Sequence, residues 1–120
     1  MVNNEILIKI IERLTQEFKP EQIIMFGSYA HGNPDEKSDL DLMVIVNESY
    51  EKPIYRRIRA LRSLIDIKNI SFDIFVKTHD EAYRYRNVVG SMTNKIFKNG
   101  KVLYESERGI NKKLASESFA

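Results

Sequence analysis

Two aspartates are the first candidates for a chemical role in this chain. Asp39 and Asp41 open the apolar run DLDLMVIV. Because side chains alternate along a strand, both carboxylates would point to the same face. Two such carboxylates repel each other and Asp is a poor strand former, so a divalent cation would explain the pair, and two magnesium ions could be held there. The alternative is that both aspartates precede the sheet and simply contact water.

A third aspartate, Asp73, lies inside a second apolar run, ISFDIFV, at residues 70–76. A carboxylate among large apolar side chains is costly unless it is paired or bound to a metal. If this run forms a strand beside the strand of Asp41, three carboxylates converge on one place. The alternative is that Asp73 pairs with an arginine of the helix that contains residues 56–62.

A Gly-Ser pair precedes the aspartates. Gly27 and Ser28 follow the apolar run QIIMF, and a strand that ends in Gly-Ser and opens a helix presents free backbone N–H groups to a phosphate. An ordinary serine cap is the alternative. The stretch is not a Walker loop, because Asn33 and Pro34 stand where that motif requires Lys and Ser or Thr.

The combination of these motifs resembles the nucleotidyltransferases of the DNA polymerase β superfamily, and within it the minimal stand-alone group, the MNT domains. The matching residues are Gly27, Ser28, Ala30 and Gly32, then Ser38, Asp39 and Asp41, and finally Asp73. The motif region covers residues 22–46, and the resemblance of the fold covers about residues 4–104. Many members of the family have Arg where this chain has His31, which we expect to be an exposed loop residue.

The resemblance implies a set of site residues and a reaction. The residues that would bind the phosphates of the nucleotide are Gly27, Ser28 and Ser38. Asp39 and Asp41 would ligate two magnesium ions, and Asp73 would ligate the catalytic ion and help to deprotonate the attacking hydroxyl. That hydroxyl would attack the α-phosphorus of a nucleoside triphosphate, expected to be ATP, and pyrophosphate would leave.

The resemblance also implies a partner, because MNT domains are typically encoded beside a HEPN-domain protein as an antitoxin–toxin pair. AMP would be transferred to a tyrosine hydroxyl of the HEPN ribonuclease toxin within a hetero-oligomer, and the toxin would be neutralised. Two alternatives stay open. One is a non-catalytic antitoxin that acts by binding and occlusion, and the other is a nucleotidyltransferase that acts on a small molecule such as an aminoglycoside.

The elements that must position these residues follow from the hydropathy pattern. It predicts helices at 4–18, 54–68 and 79–98, the last interrupted at Gly90, and a helical turn that begins at Ser28. Strands are predicted at 22–26, 39–46 and 70–76, with an edge strand at 101–104. This order predicts an α/β (α+β) fold, a polymerase β-like nucleotidyltransferase core in which helices pack on one mixed sheet.

The predicted helix at 54–68 separates apolar from basic residues. Its apolar side chains on one side are Ile54, Ile58, Leu61, Leu64 and Ile65, and its basic side chains on the other faces are Arg56, Arg57, Arg59 and Arg62. We therefore expect the apolar side to pack and the arginines to be solvated. We do not expect direct nucleic-acid binding, because no aromatic side chains are interleaved to stack on bases.

Composition limits the remaining possibilities. The 120 residues, 42% hydrophobic and 30% charged with a net charge of +2, are ordinary for one globular domain. The absence of cysteine excludes a disulfide scaffold, a Cys-ligated zinc site and a thiol nucleophile. No apolar run approaches the roughly 20 residues of a membrane span, and no signal peptide is visible, so we predict a cytoplasmic protein. We assign residues 1–104 to the nucleotidyltransferase domain and residues 105–120 to a polar, mobile tail.

Overall fold

A four-stranded mixed sheet organises the chain in the computed structural model, which describes residues 2–107. Its strands are β1 (Gln22–Phe26), β2 (Leu40–Val46), β3 (Phe72–Thr78) and β4 (Lys101–Glu105). They lie in the order β3-β2-β1-β4, with β1 antiparallel to β2 and β4, and β2 parallel to β3. The helices are α1 (Asn4–Phe18), α2 (Ser28–His31), α3 (Pro53–Ser63), α4 (His79–Arg84) and α5 (Met92–Asn99). This architecture confirms the predicted α/β fold, a mixed sheet packed by helices, with β4 at one edge.

The core lies on both faces of the sheet, because successive side chains of a strand point to opposite sides. Leu42 and Val44 of β2 pack in one apolar cluster with Leu14 of α1 and Ala60 of α3. The intervening residues of β2 belong to a second cluster, which contains side chains of α4 and α5. The buried members of this second cluster are Ile24, Met43, Ile45, Ala82 and Ile96. A strand covered on both faces needs a continuous apolar run, which explains the sequence of β2.

Several element boundaries differ from the prediction. The helix predicted to reach residue 68 ends at Ser63, and the chain then turns through Asn69, whose φ is 65°. β3 begins two residues later than predicted and extends to Thr78. Thr78 forms a capping box with Glu81, in which each side chain accepts a hydrogen bond from the other's backbone N–H, so α4 begins directly after the strand. β2 begins at Leu40, which leaves Asp39 just outside the strand.

The orientation of α3 contradicts the prediction from hydropathy. Arg56 and Ala60 are buried, with 3% and 0% of their surface exposed, whereas Ile54 and Ile58 are 54% and 42% exposed. The guanidinium of Arg56 donates to the carbonyl of Val76 at 2.9 Å and to Glu81 Oε1 at 2.7 Å. These bonds compensate for the burial of the charge, and they fix the arginine side of α3 toward β3.

Two further predictions concern the ends of the chain and its helices. Glu105, the first residue of the predicted tail at 105–120, is the last residue of β4. Residues 108–120 of that tail lie outside the described residues. Among residues 2–107, no helix combines the length and the apolarity that a bilayer span requires.

Candidate active site

Strand register brings two of the predicted carboxylates together. β2 and β3 are parallel, and Asp41 and Asp73 are direct partners across them. On its other side, Asp41 is the partner of Phe26, the last residue of β1. Since paired residues on neighbouring strands point to the same face, both carboxylates project from the sheet at one place, and both are partly buried.

The Gly-Ser turn lies directly against Asp41. Gly27 has φ +71° and ψ −154°, a combination that only glycine adopts readily. A Cβ atom built at Gly27 would stand 2.0 Å from Asp41 Oδ2, so no other residue fits here while Asp41 keeps its position. Ser28, the first residue of α2, follows at once. The two motifs that the sequence separates by 13 residues therefore form one structural unit.

The electrostatics of this unit are unbalanced. Burial raises the pKa of the Asp41 carboxyl above its usual value, and the nearby charges of Asp73 and Asp39 raise it further. Asp39 itself is exposed, immediately before β2. The three predicted carboxylates thus share one electrostatic environment, in which negative charge accumulates.

Arg57 of α3 provides the positive charge that the structure sets against this cluster. Its Nη2 donates to Asp73 Oδ1 at 3.0 Å, and its guanidinium carbon lies 5.3 Å from the centroid of the Phe75 ring. The sequence suggested two alternatives for Asp73, a position beside the other carboxylates or an ion pair with an arginine. The structure shows both, because Asp73 pairs with Arg57 and lies beside Asp41. The pair is partly exposed, with 41% of the Arg57 and 37% of the Asp73 side chain accessible.

A cleft that contains Arg57 lies along β3. It has a volume of about 270 Å³ and is lined by Pro53, Ile54, Arg57, Phe75, Val76, Lys77 and Glu81. Sequence reasoning did not assign Arg57 and Phe75 to the site. The signal that could have found Phe75 is strand alternation, which places it on the same face as Asp73.

Ser38 lies in the loop between α2 and β2, whereas His31, predicted to be a loop residue, belongs to α2. The Ser38 hydroxyl accepts a hydrogen bond from the Asp35 backbone N–H at 2.9 Å and donates to Asp35 Oδ1 at 3.3 Å. Ser38 therefore stabilises a local turn in this structure. His31 ends α2 and is exposed, as expected.

The donor chemistry of the site fits magnesium. Carboxylate oxygens are the ligands that this ion prefers. The pKa of Asp41 is raised first by burial and then by the charges of Asp73 and Asp39, and a divalent cation would offset that repulsion. In the part of the chain that the structure describes, no group of three or more His, Cys, Asp or Glu side chains forms a ready-made metal cage. Magnesium is usually held by one or two carboxylates together with substrate phosphates and water, so an open set of carboxylates is the expected arrangement.

Comparison of the sequence with known proteins finds nucleotidyltransferases. The family model for polymerase beta nucleotidyltransferases matches residues 8–109. A protein of Methanocaldococcus jannaschii, named as a candidate protein adenylyltransferase, is 40% identical over 74 residues, which cover 61% of this chain and 83% of the relative. A second such protein from the same organism is 38% identical over 74 residues, covering 61% of this chain and 72% of its own length.

Solved structures share the fold. A crystal structure of a candidate nucleotidyltransferase from Sulfolobus solfataricus superposes with a TM-score of 0.57 at 19% identity, covering 84% of this chain and 78% of the other. A crystal structure described as a toxin–antitoxin with AMP-PNP superposes with a TM-score of 0.64 at 20% identity, covering 98% of this chain and 89% of the other. The architecture, the register of Asp41 and Asp73 and the match over residues 8–109 agree, and the chain belongs to the polymerase β nucleotidyltransferase family of enzymes.

Proposed function

We propose that this chain is a magnesium-dependent protein adenylyltransferase that transfers AMP from ATP to a partner toxin. The observation that carries the proposal is the position of the Asp41 carboxylate, in register with Asp73 and in contact with the backbone of Gly27. This arrangement places oxygen donors for a cation beside a turn that a triphosphate can approach closely. The Methanocaldococcus relatives named as candidate protein adenylyltransferases support a protein as acceptor.

In the proposed reaction each site residue has a defined role. The backbone of Gly27, which carries no side chain, would bind the β- and γ-phosphates of ATP, and the hydroxyls of Ser28 and Ser38 would donate to phosphate oxygens. For Ser38 this requires its turn with Asp35 to open. The residues that would hold two magnesium ions are Asp39, Asp41 and Asp73. When bound there, magnesium would neutralise the triphosphate and polarise the α-phosphate.

The chemical step is an in-line displacement. Asp73 accepts the proton of the acceptor hydroxyl, whose oxygen forms a bond to the α-phosphorus while the bond to pyrophosphate breaks. Asp73 retains an oxygen for this purpose, because the Arg57 hydrogen bond is to Oδ1. Pyrophosphate leaves, and AMP stays on the acceptor.

The acceptor in this proposal is a tyrosine hydroxyl of a HEPN ribonuclease toxin that forms a hetero-oligomer with this chain. The resemblance to MNT domains supports this identity, and so does the fold shared with a protein described as a toxin–antitoxin with AMP-PNP. Transfer of AMP would add a phosphate charge and a bulky nucleoside to the toxin surface. A modification of that kind can disrupt an active site by repulsion and by occupying space.

The test is an assay for transfer of labelled AMP. The chain is incubated with Mg²⁺ and α-phosphate-labelled ATP, with and without the candidate HEPN protein, and the label is located by mass spectrometry. We expect the mass of one or more AMP groups on a tyrosine of the HEPN protein, and no transfer when Mg²⁺ is removed with EDTA. If no protein is labelled although ATP binds, the proposal fails, and an aminoglycoside is then tested as acceptor.

A second candidate function is neutralisation by occlusion, with no chemistry. The Arg57–Asp73 ion pair favours it, because this contact gives Asp73 a partner that needs no cation. The double variant Asp39→Asn, Asp41→Asn separates the two functions. If the variant binds the toxin but no longer neutralises it, catalysis is required; full neutralisation by the variant would establish occlusion.

A further inference from the structure

One face of α3 presents a line of apolar side chains to solvent. Ile54, Ile58, Leu61 and Ile65 are 54%, 42%, 37% and 71% exposed, and their spacing of four, three and four residues aligns them along the helix and the turn after it. We refer to these four residues as the α3 stripe. Single exposed apolar residues are common, but a contiguous apolar line usually marks an interaction site.

The α3 stripe cannot turn inward. The opposite face of the helix is committed to the core through Ala60 and Leu64, which are 0% and 1% exposed. On the same buried side, Arg56 is held by Val76 and Glu81. Rotation of α3 would break these bonds and leave a buried guanidinium unpaired, which is strongly unfavourable. The buried face of α3 and the bonds of Arg56 therefore hold the stripe at the protein surface.

The α3 stripe begins beside the candidate active site. Ile54 lines the cleft that also contains Arg57 and Phe75, and Arg57 contacts Asp73. A protein that lies along the stripe would therefore have part of its surface next to the carboxylates. We propose that the α3 stripe is the docking surface for the acceptor protein of the adenylyl transfer, an inference that rests on the proposed function.

The charges of α3 indicate the chemistry of that acceptor. The helix contains four arginines and no acidic residue. Arg56, Arg57 and Arg59 are bound within the chain, to Glu81, to Asp73, and to Glu17 and Glu51 respectively. Arg62 borders the stripe, because it stands four residues after Ile58 and three before Ile65.

The partner surface that fits is therefore an apolar strip with a carboxylate placed to meet Arg62. A second copy of this chain is a poorer occupant. Two α3 helices packed stripe to stripe would bring arginines of one copy toward arginines of the other, with no acidic residue of α3 to compensate.

A second group of exposed apolar side chains supplies a matched control. It runs from the end of α4 to the first residue of α5 and comprises Tyr85, Val88, Val89 and Met92, which are 51%, 50%, 91% and 42% exposed. None of these residues lines the cleft at Arg57. If exposure of apolar surface alone determined docking, this group would be as good a candidate as the α3 stripe.

The experiment compares Ile58→Asp with Val89→Asp. Both side chains are exposed, so neither change removes a core contact. The dissociation constant of the purified HEPN protein is measured with each variant, together with ATP affinity and the transfer of labelled AMP. We expect Ile58→Asp to raise the dissociation constant about 30-fold or more, the size expected for a central apolar contact, with ATP affinity unchanged. Val89→Asp should leave the dissociation constant of the HEPN protein within about threefold of the parent value.

Other outcomes overturn the docking surface. It is wrong if Val89→Asp weakens binding and Ile58→Asp does not, if the unmodified chain does not bind the HEPN protein, or if Ile58→Asp abolishes a homodimer of this chain. Transfer by the unmodified chain is scored separately. Binding that depends on Ile58 without any transfer would keep the α3 stripe as the docking surface and reject the proposed reaction.

Discussion

Two adjacent arginines of α3 reach two regions of β3, and the two regions differ in how charge is balanced. Arg56 is 3% exposed at its side chain and meets one carboxylate, Glu81, in a bidentate contact. Arg56 is the first cause of a lowered pKa of Glu81, to about 2. In this region each charge has a partner, and the ionised form of Glu81 favours the folded state.

The other region is different. Arg57 meets Asp73, but Asp41 stands beside Asp73, and Asp39 is close enough to contribute to the raised pKa of Asp41. One cation thus faces three carboxylates, and the fold pays for the imbalance in stability. The matched region stabilises the fold, whereas the excess of negative charge around Asp41 is the arrangement that the proposed cation site requires.

The largest effect is expected at the unbalanced region, from Asp41→Asn. Loss of the carboxylate should lower the rate of AMP transfer about a thousandfold, because cation-mediated stabilisation of the transition state contributes several kcal/mol. The free energy of unfolding at neutral pH should rise, since the neutral amide ends the repulsion from Asp73 and Asp39. Transfer kinetics and urea denaturation measure both quantities. A less stable variant would show that Asp41 is a structural residue.

The next largest effect is expected from Gly27→Ala. The new Cβ would collide with Asp41 Oδ2 and would also have to adopt a φ of +71°. We expect a loss of about 3 kcal/mol in the free energy of unfolding, from backbone strain and the displaced carboxylate together, and loss of transfer. Gly32→Ala is the control: Gly32 has a φ of +78° but nothing within 4 Å of its Cβ position, so it should cost only about 1–2 kcal/mol. Equal losses from the two variants would contradict the tight contact.

At the matched region, Arg56→Met should cost stability and spare the chemistry. Removing the charge-assisted bonds to Glu81 and Val76 should lower the free energy of unfolding by about 2–3 kcal/mol. Arg57→Met, at the partly exposed pair with Asp73, should change it by less than about 1 kcal/mol. Chemical denaturation measures both. A larger loss from Arg57→Met would reverse the distinction drawn between the two arginines.

The smallest expected effect is the change of the free energy of unfolding with pH, which has opposite signs in the two regions. The pKa of Glu81 falls from 4.5 to about 2 on folding, so its stabilising contribution is present above about pH 4.5 and is lost as pH falls toward 2. Glu81→Gln should therefore be less stable than the parent at pH 7 and converge with it in acid. The pKa of Asp41 is raised, so the advantage of Asp41→Asn should appear as pH rises above the unfolded value and vanish in acid. Thermal unfolding at several pH values tests both signs.

The sequence was sufficient for much of the fold and for the chemical motif, because those signals are local. The strand at 22–26 and the helix at 4–18 have the predicted bounds. The proximity of Asp41 and Asp73 was conditional on two strands being neighbours, and the parallel pairing of β2 and β3 meets the condition. The roles of these residues in catalysis remain a prediction.

The orientation of α3 could not be predicted, because its cause lies far away in sequence. Arg56 is buried by partners 20 and 25 residues further along the chain, at Val76 and Glu81. Helical periodicity shows that two faces differ but does not show which one meets the sheet. The end of β3 is a different case, since Thr78 and Glu81 have the spacing of a capping box and so indicate the start of α4.

The hydrogen bond from Arg56 to the carbonyl of Val76 also has a consequence for solubility. β3 is an edge strand, and the unpaired backbone groups of such a strand are a template on which other polypeptides can add. The guanidinium occupies one of these groups and covers that part of the edge with a charged side chain. The same arginine that anchors α3 therefore protects the open side of the sheet from strand-by-strand aggregation.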